Sequence, residues 1–288
     1  MEIFQATWAM RDLPGQPGPF DLPAAVAWTR NAGFSGILHW AETPDDLAEV
    51  EIIRRAGLLV GVGFPARNMQ MAERIIDRAT GLGVSFLNAQ VYDAFAADDE
   101  AVARLEGLYA LSDARGIPLF IETHRGMVTQ DLLRTVAYAR RLPRMLFTLD
   151  ASHYVVAGEI TQPEQSPRFN AALAEIIART ASIHARVSNG EQIQVDVLSE
   201  DDPLVRPFIG WWTAAFEQWL GGAAPGAFFP FVCELGPRPY AIAAPAGLSV
   251  LRGLELSDRL AQALLLKRIA EQIQTRVCAT ISTYTQSA

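Results

Sequence analysis

The fold that the sequence predicts is a closed (β/α)8 barrel, and three observations carry that expectation. Eight short apolar runs alternate with amphipathic stretches along the 288 residues, a succession that implies a parallel sheet covered by helices. Composition does not shift along the chain, so residues 1–288 read as one domain of a size such barrels commonly reach. The first loop holds GQPG but no GxGxxG, and no Walker sequence follows. An open doubly wound sheet would normally carry such a phosphate loop after its first strand.

Residues 3–10 are apolar and aromatic and form strand one, ended by the Pro/Gly punctuation of RDLPGQPGPF. Asp21 caps a helix that runs to Asn31 with Pro23 in its first turn, and Gly33 closes it before FSGILHW, strand two. Thr43 and Pro44 start the next helix, which reaches Ala56, and LLVGVGF, 58–64, is strand three. An amphipathic helix over 68–82 with a glycine stop leads to strand four, VSFLNAQVYD, 84–93. Helix four, 98–115, ends at Gly116, and strand five lies in PLFIETHRG, 118–126. Its helix covers 129–141, strand six 145–149, and a helix over 166–179 follows a polar loop. Strand seven is expected over 183–187. The excursion 188–210 that follows is long enough for a lid or a dimer arm, ahead of a Trp-rich helix over 211–220. Strand eight covers 228–234 and the last helix 257–277.

Half of the residues are hydrophobic and 19% are charged, which suits a large core and excludes a disordered chain. A net charge of −8 with no Lys/Arg cluster lacks the electrostatic footprint of a nucleic-acid binder. No uninterrupted apolar run reaches the ~18 residues of a membrane span, and MEIFQATWAM has no basic leader-like start. Cys233 and Cys278 have no CxxC spacing and read as buried thiols of a reducing compartment. The expectation is a soluble cytoplasmic protein with no nucleic-acid or membrane partner, homo-oligomerisation being left open.

Barrel chemistry sits at the C-terminal ends of the strands, and four of this chain's strands end in ionisable groups. Strand five presents Glu122 and His124, which alternation puts on one face. MLFTLDASHY delivers Asp150 with His153, ASIHARVS delivers His184 with Arg186, and FFPFVCELGP delivers Glu234. Consecutive strands make these one wall, and converging carboxylates repel unless a cation lies among them. Glu122, Asp150, His184 and Glu234 are therefore candidate ligands of one divalent ion. Their oxygen and imidazole donors favour Mn²⁺, Mg²⁺ or Co²⁺; the lack of thiolates argues against structural zinc, with zinc of another kind left open. Cys233 should point away from its neighbour Glu234. Asn88 and Gln90 end strand four, where one can line a pocket. His39, at the end of strand two beside Trp40, is either a substrate contact or a packed strand-end residue. Trp8 is a floor for a sugar ring or ordinary core, and Trp211, Trp212 and Trp219 pack outside the barrel or at a subunit interface.

IETH on strand five, LDASHYVVAGE on strand six, IHARV on strand seven and CELGPRPYA on strand eight together resemble the xylose-isomerase-like TIM-barrel superfamily of sugar isomerases and epimerases. The resemblance spans the barrel, with its diagnostic residues in the second half. It implies one divalent metal held by Glu122, Asp150, His184 and Glu234, with His153 and Arg186 facing the substrate. It also implies proton transfer next to a carbonyl, with Glu122 and Glu234 as acid and base on opposite faces of the reacting carbon. THRG after Glu122 departs both from the ketose-epimerase continuation and from the lysine-bearing pattern of true xylose isomerases. Substrate and exact reaction are therefore left open at this point.

Other readings stay beside the isomerase or epimerase. A metal-dependent lyase or dehydratase acting on a keto-sugar or keto-cyclitol would use the same site. A non-catalytic sugar-binding barrel would keep the pocket without needing paired glutamates. The apurinic-endonuclease branch needs further histidines after strands three and four, where this chain has GVGFP and NAQVYD, and an Asp-x-His after His184, which is missing.

Overall fold

Asp21, Asn68 and Asp131 each accept a hydrogen bond from a backbone N–H three residues on, and these caps start three of the helices. In the computed structural model, which describes residues 1–14, 20–244 and 255–286, the chain closes into an eight-stranded parallel barrel in the order β1 to β8. The strands are β1 (Glu2–Ala6), β2 (Gly36–Trp40), β3 (Leu59–Ala66), β4 (Phe86–Val91), β5 (Leu119–Glu122), β6 (Phe147–Leu149), β7 (Thr180–Ala185) and β8 (Pro230–Cys233). Eight helices cover the strands: α1 (Leu22–Asn31), α2 (Val50–Arg55), α3 (Met69–Gly81), α4 (Asp98–Arg115), α5 (Leu132–Arg141), α7 (Pro167–Ile177), α8 (Arg206–Gly222) and α9 (Arg259–Gln286). A short helix, α6 (Ala151–Ala157), caps the end of β6.

The barrel interior changes character along its axis. Its N-terminal end is plugged by Phe4, Leu38, Phe86, Phe120 and Val232, with Phe4 and Phe86 in edge contact at 5.3 Å. Glycine makes room for this plug. A Cβ on Gly36 would lie 2.4 Å from Phe4, and one on Gly61 2.3 Å from Phe86. One turn of alternation further, the inward positions become Asn88, Glu122, Asp150, His184 and Glu234. The larger apolar layer lies outside, between strands and helices. Trp212 packs there edge-on against Phe231 at 5.4 Å, as the helical spacing of the tryptophans predicts.

Several expected elements need correction, among them strand one, which ends at Ala6 and is followed by a 3₁₀ turn over Trp8–Met10. The second helix is a 3₁₀ segment (Pro44–Glu49) followed by only six residues of α2. Helix α6 is additional, because Asp150 caps it directly through Ser152 N–H while its Val-Val sequence reads as extended chain. Strand β7 starts at Thr180, where Thr180 and Ser182 hide it from a hydrophobic pattern. Helix α8 starts at Arg206, with Pro207 in its first turn.

The excursion after β7, for which a lid or a dimer arm is one expectation, packs against the barrel over residues 187–197. Val187, Ile193, Val195 and Val197 are buried. Gln194 donates to Gly236 O at 3.1 Å and accepts from Gly236 N–H at 2.7 Å. Asp196 accepts from Ser257 Oγ at 2.6 Å and from Gln262 Nε2 at 2.9 Å, which bolts the segment to the start of α9. Among the described residues no helix is long and apolar enough to cross a membrane.

Candidate active site

Parallel pairing brings the strand ends level: Glu122 lies beside Thr148, and His184 beside Val232. Glu122 closes β5, Asp150 follows β6, His184 is the penultimate residue of β7, and Glu234 follows β8. Donor atoms of Glu122, His184 and Glu234 lie within 4.8 Å of one another, all three residues being buried. His184 Nδ1 is 2.7 Å from Glu234 Oε2 and 3.7 Å from Glu122 Oε1. Neither ring nitrogen of His184, nor Glu234 Oε2, nor Asp150 Oδ2, has a hydrogen-bond partner of acceptable geometry. Buried polar atoms are nearly always satisfied, and the close oxygen and imidazole donors of Glu122, His184 and Glu234 fit a divalent cation.

The fourth expected ligand adjoins this group but is engaged elsewhere. Asp150 Oδ1 accepts from Ser152 N–H at 3.0 Å. Its Oδ2 lies 3.4 Å from Arg186 Nη1 and 3.6 Å from His153 Nε2. Thr123 locks β5 to β6 here, accepting from Asp150 N–H at 2.9 Å and donating to Asp150 O at 3.1 Å. Arg186 is only 2% exposed, and its Nη2 is 3.1 Å from Glu234 Oε2 while its Nε donates to Glu234 O at 3.1 Å. It thus bridges the Asp150 and Glu234 carboxylates. Its guanidinium lies 4.8 Å from the Tyr240 ring and 5.5 Å from the Trp8 ring.

Electrostatics follow from burial and these neighbours. Burial pushes the Glu122 carboxyl up, but the His184 imidazole and the Asn88 amide outweigh it and hold the group below the usual carboxylate range. Burial pushes His184 down, and Glu234 and Glu122 outweigh that, raising it well above an ordinary histidine. Asp150 is raised, burial prevailing over the attraction of Arg186. His153 falls well below the ordinary value, first by burial and then by the neighbouring His124 and Arg186.

A cavity of about 500 Å³ opens above this cluster, and Glu234, Arg186 and His124 face it. Glu122 lies beneath, gripped by Asn88 Nδ2 at 2.6 Å and Gln90 Nε2 at 3.0 Å. Of that pair, Gln90 also reaches the cavity wall, and so does Trp8. The His124 and His153 rings lie 3.9 Å apart, tilted by 46°, so His124 covers a His153 that is fully buried. Those two imidazoles and Glu122 form a second group with donor atoms within 4.8 Å. His39 is not a cavity residue. Leu38 occupies the inward position on β2, which turns His39 outward, where its Nε2 sits 3.1 Å from Asp46 O. Cys233 also faces outward, its Sγ 3.6 Å from Ala263 O on α9, and it is buried as expected, whereas Cys278, also expected to be buried, is exposed.

Sequence reasoning missed the far wall: Arg11, Trp40, Glu42, Asp46, Glu49 and Tyr92. It also missed Tyr240, which the CELGPRPYA segment contains six residues after Glu234. Its signal was an aromatic residue in a Pro-bounded turn after a ligand-bearing strand.

No protein-family model and no curated protein sequence matches the chain. Solved structures do. A xylose isomerase-like TIM barrel protein from Mycobacterium smegmatis, in complex with magnesium, superposes with a TM-score of 0.63 at 15% identity, over 96% of this chain and 97% of that one. A sugar phosphate isomerase/epimerase from Parabacteroides distasonis gives 0.53 at 11% identity, over 83% and 88%. A probable 3-DHS dehydratase from Bacillus anthracis gives 0.54 at 13%, over 83% and 94%. Identities this low speak for the fold alone, and that fold is the (β/α)8 barrel these three structures share with the chain.

Proposed function

We propose that the chain is a divalent-metal-dependent sugar isomerase or epimerase that moves a proton next to a carbonyl. The observation that carries this reading is the pair of glutamates, Glu122 at the end of β5 and Glu234 just after β8, that approach the same nitrogen of His184, Nδ1, at 3.7 and 2.7 Å at the base of a cavity. Glu122, His184 and Glu234 would hold the ion with Asp150 beside them, and Mn²⁺, Mg²⁺ or Co²⁺ suits that donor set. When bound, it would supply Lewis-acid stabilisation of negative charge on the substrate oxygens.

The chain's own residues have distinct tasks. Glu234 faces the cavity and takes or returns the proton at the reacting carbon through its carboxylate, while Glu122 serves the opposite face. Asn88 and Gln90 fix the Glu122 carboxylate, so its orientation costs nothing at the moment of transfer. Arg186, bridging Asp150 and Glu234 under the two aromatic rings, keeps the Glu234 carboxylate oriented and adds a positive field where an oxyanion develops. His124 offers an imidazole to a substrate hydroxyl. Its Nδ1 lies 2.5 Å from the carbonyl of Arg125, which can only accept, so Nε2 carries the free lone pair.

Solvent deuterium exchange into a bound ketose tests the reading. Wash-in of label by metal-loaded protein is expected, and its absence across a broad panel of sugars overturns it. The likeness to a dehydratase supports a second reading, loss of water from a keto-cyclitol by the same acid–base pair. An absorbing enone product would reveal that reaction.

A further inference from the structure

Resting on the isomerase or epimerase reading, we propose that the cavity takes an uncharged polyhydroxy substrate and turns away phosphate esters. Charge is the first reason. At the level of the cluster, Glu122, Asp150 and Glu234 are balanced by Arg186 and one divalent ion, so nothing cationic is left over there. Above them, the segment following β2 brings Glu42, Asp46 and Glu49 to the cavity. Arg67 neutralises Glu42 at 2.7 Å, and Glu42 also accepts from Trp40 Nε1 at 2.8 Å. Among the described lining residues that leaves Arg11, whose guanidinium sits 5.0 Å from the Phe20 ring, against two carboxylates. A phosphate dianion placed there adds like charge to a wall already negative.

Backbone donors are the second reason. Barrels of this architecture commonly bind phosphate with N–H groups of the loops after strands seven and eight. Among the described residues of those loops, four such groups are already engaged. Gly236 N–H donates to Gln194 Oε1 at 2.7 Å, Gly190 N–H to Ser188 Oγ at 3.1 Å, Gln192 N–H to Asn189 Oδ1 at 2.7 Å, and Val197 N–H to Gln262 Oε1 at 2.8 Å. Trp8 shuts the remaining side of Gly236, for a Cβ there would lie 2.1 Å from its ring. The edge of the Trp8 indole therefore covers Gly236, where a phosphate nest would need open N–H groups.

What the wall does offer suits a polyol. Asp46, whose Oδ2 accepts from Thr43 N–H and Oγ1, and Glu49, whose Oε2 lies 3.6 Å from His39 Nε2, keep their other carboxylate oxygens for hydroxyl donors, and charge-assisted hydrogen bonds of this kind are strong without requiring a charged ligand. Trp8 and Trp40 supply apolar surface for the C–H face of a sugar.

Calorimetric titration of the Mg²⁺-loaded protein with D-fructose, D-fructose 6-phosphate and inorganic phosphate tests the proposal. Saturable binding of the free ketose, about tenfold or more tighter than that of its ester, is expected, with none for inorganic phosphate. Ester binding as tight as the ketose, or saturable phosphate binding, overturns it; so does a failure of all free ketopentoses and ketohexoses to bind. Glu49→Lys should move the ratio toward the ester, and an unchanged ratio counts against the charge argument. Because binding is read without turnover, a chain that binds free ketose but exchanges no deuterium keeps this proposal and loses the isomerase reading.

Discussion

The two walls of the barrel mouth are built on opposite plans. From β5 to β8 the inward groups are buried, charged and mutually bound: Glu122, Asp150, His184 and Arg186 are each no more than 2% exposed. From β2 to β4 the cavity is lined by rings and by carboxylates open to solvent, with the side chains of Glu42 and Glu49 51% and 45% exposed. A buried charged network gains strength from low dielectric and holds one geometry, which suits chemistry. An exposed mixed wall exchanges water readily and can discriminate among ligands, which suits selection.

Breaking the first wall should have the largest effect. Glu122→Gln keeps the shape and one of the two amide contacts but removes the proton carrier, so deuterium exchange should fall by about 10²–10⁴ with an unchanged circular dichroism spectrum; full activity would remove Glu122 from the mechanism. The plug beneath the site is a contrast in kind. Phe86→Ala should cost about 3–5 kcal/mol of stability, read as a lower denaturation midpoint, while metal stoichiometry stays the same.

Proton linkage sharpens the comparison further. His184 has a raised pKa in the metal-free protein yet must be neutral to bind a cation. Affinity for Mn²⁺ should therefore rise with pH, about tenfold per unit below the raised value, whereas a pH-independent affinity would exclude His184 as ligand. In the metal-free chain the sign reverses. The same shift stabilises the fold fully below the ordinary histidine value of about 6.5, and that contribution is lost as pH climbs through the raised value. The smallest effect belongs to neither wall. Arg140 and Glu175 pair at 2.6 Å on the outer surface, where solvent screens the pair, and Arg140→Ala should leave the denaturation midpoint unchanged.

Legibility in the sequence followed the same division. Glu122, Asp150, His184 and Glu234 could be read as one group because each ends an apolar run, and alternation decides which way a strand residue points. Trp40 and Glu42 were harder, since an aromatic and an acid after β2 look like ordinary surface. His39 attracted attention as an imidazole at a strand end, but Leu38 holds the inward register and sends it outward.

By itself the sequence determined the eight alternating units, the parallel sheet they imply, and the strand ends on which carboxylates and imidazoles fall. All of that is local periodicity. Tertiary structure decided the rest: that Arg186 lies between Asp150 and Glu234, that His124 covers His153, and that Gln194 clamps Gly236 across 42 residues of sequence. Closure of the barrel sets these distances, and periodicity carries no information about what a side chain meets on the far side of a ring of strands.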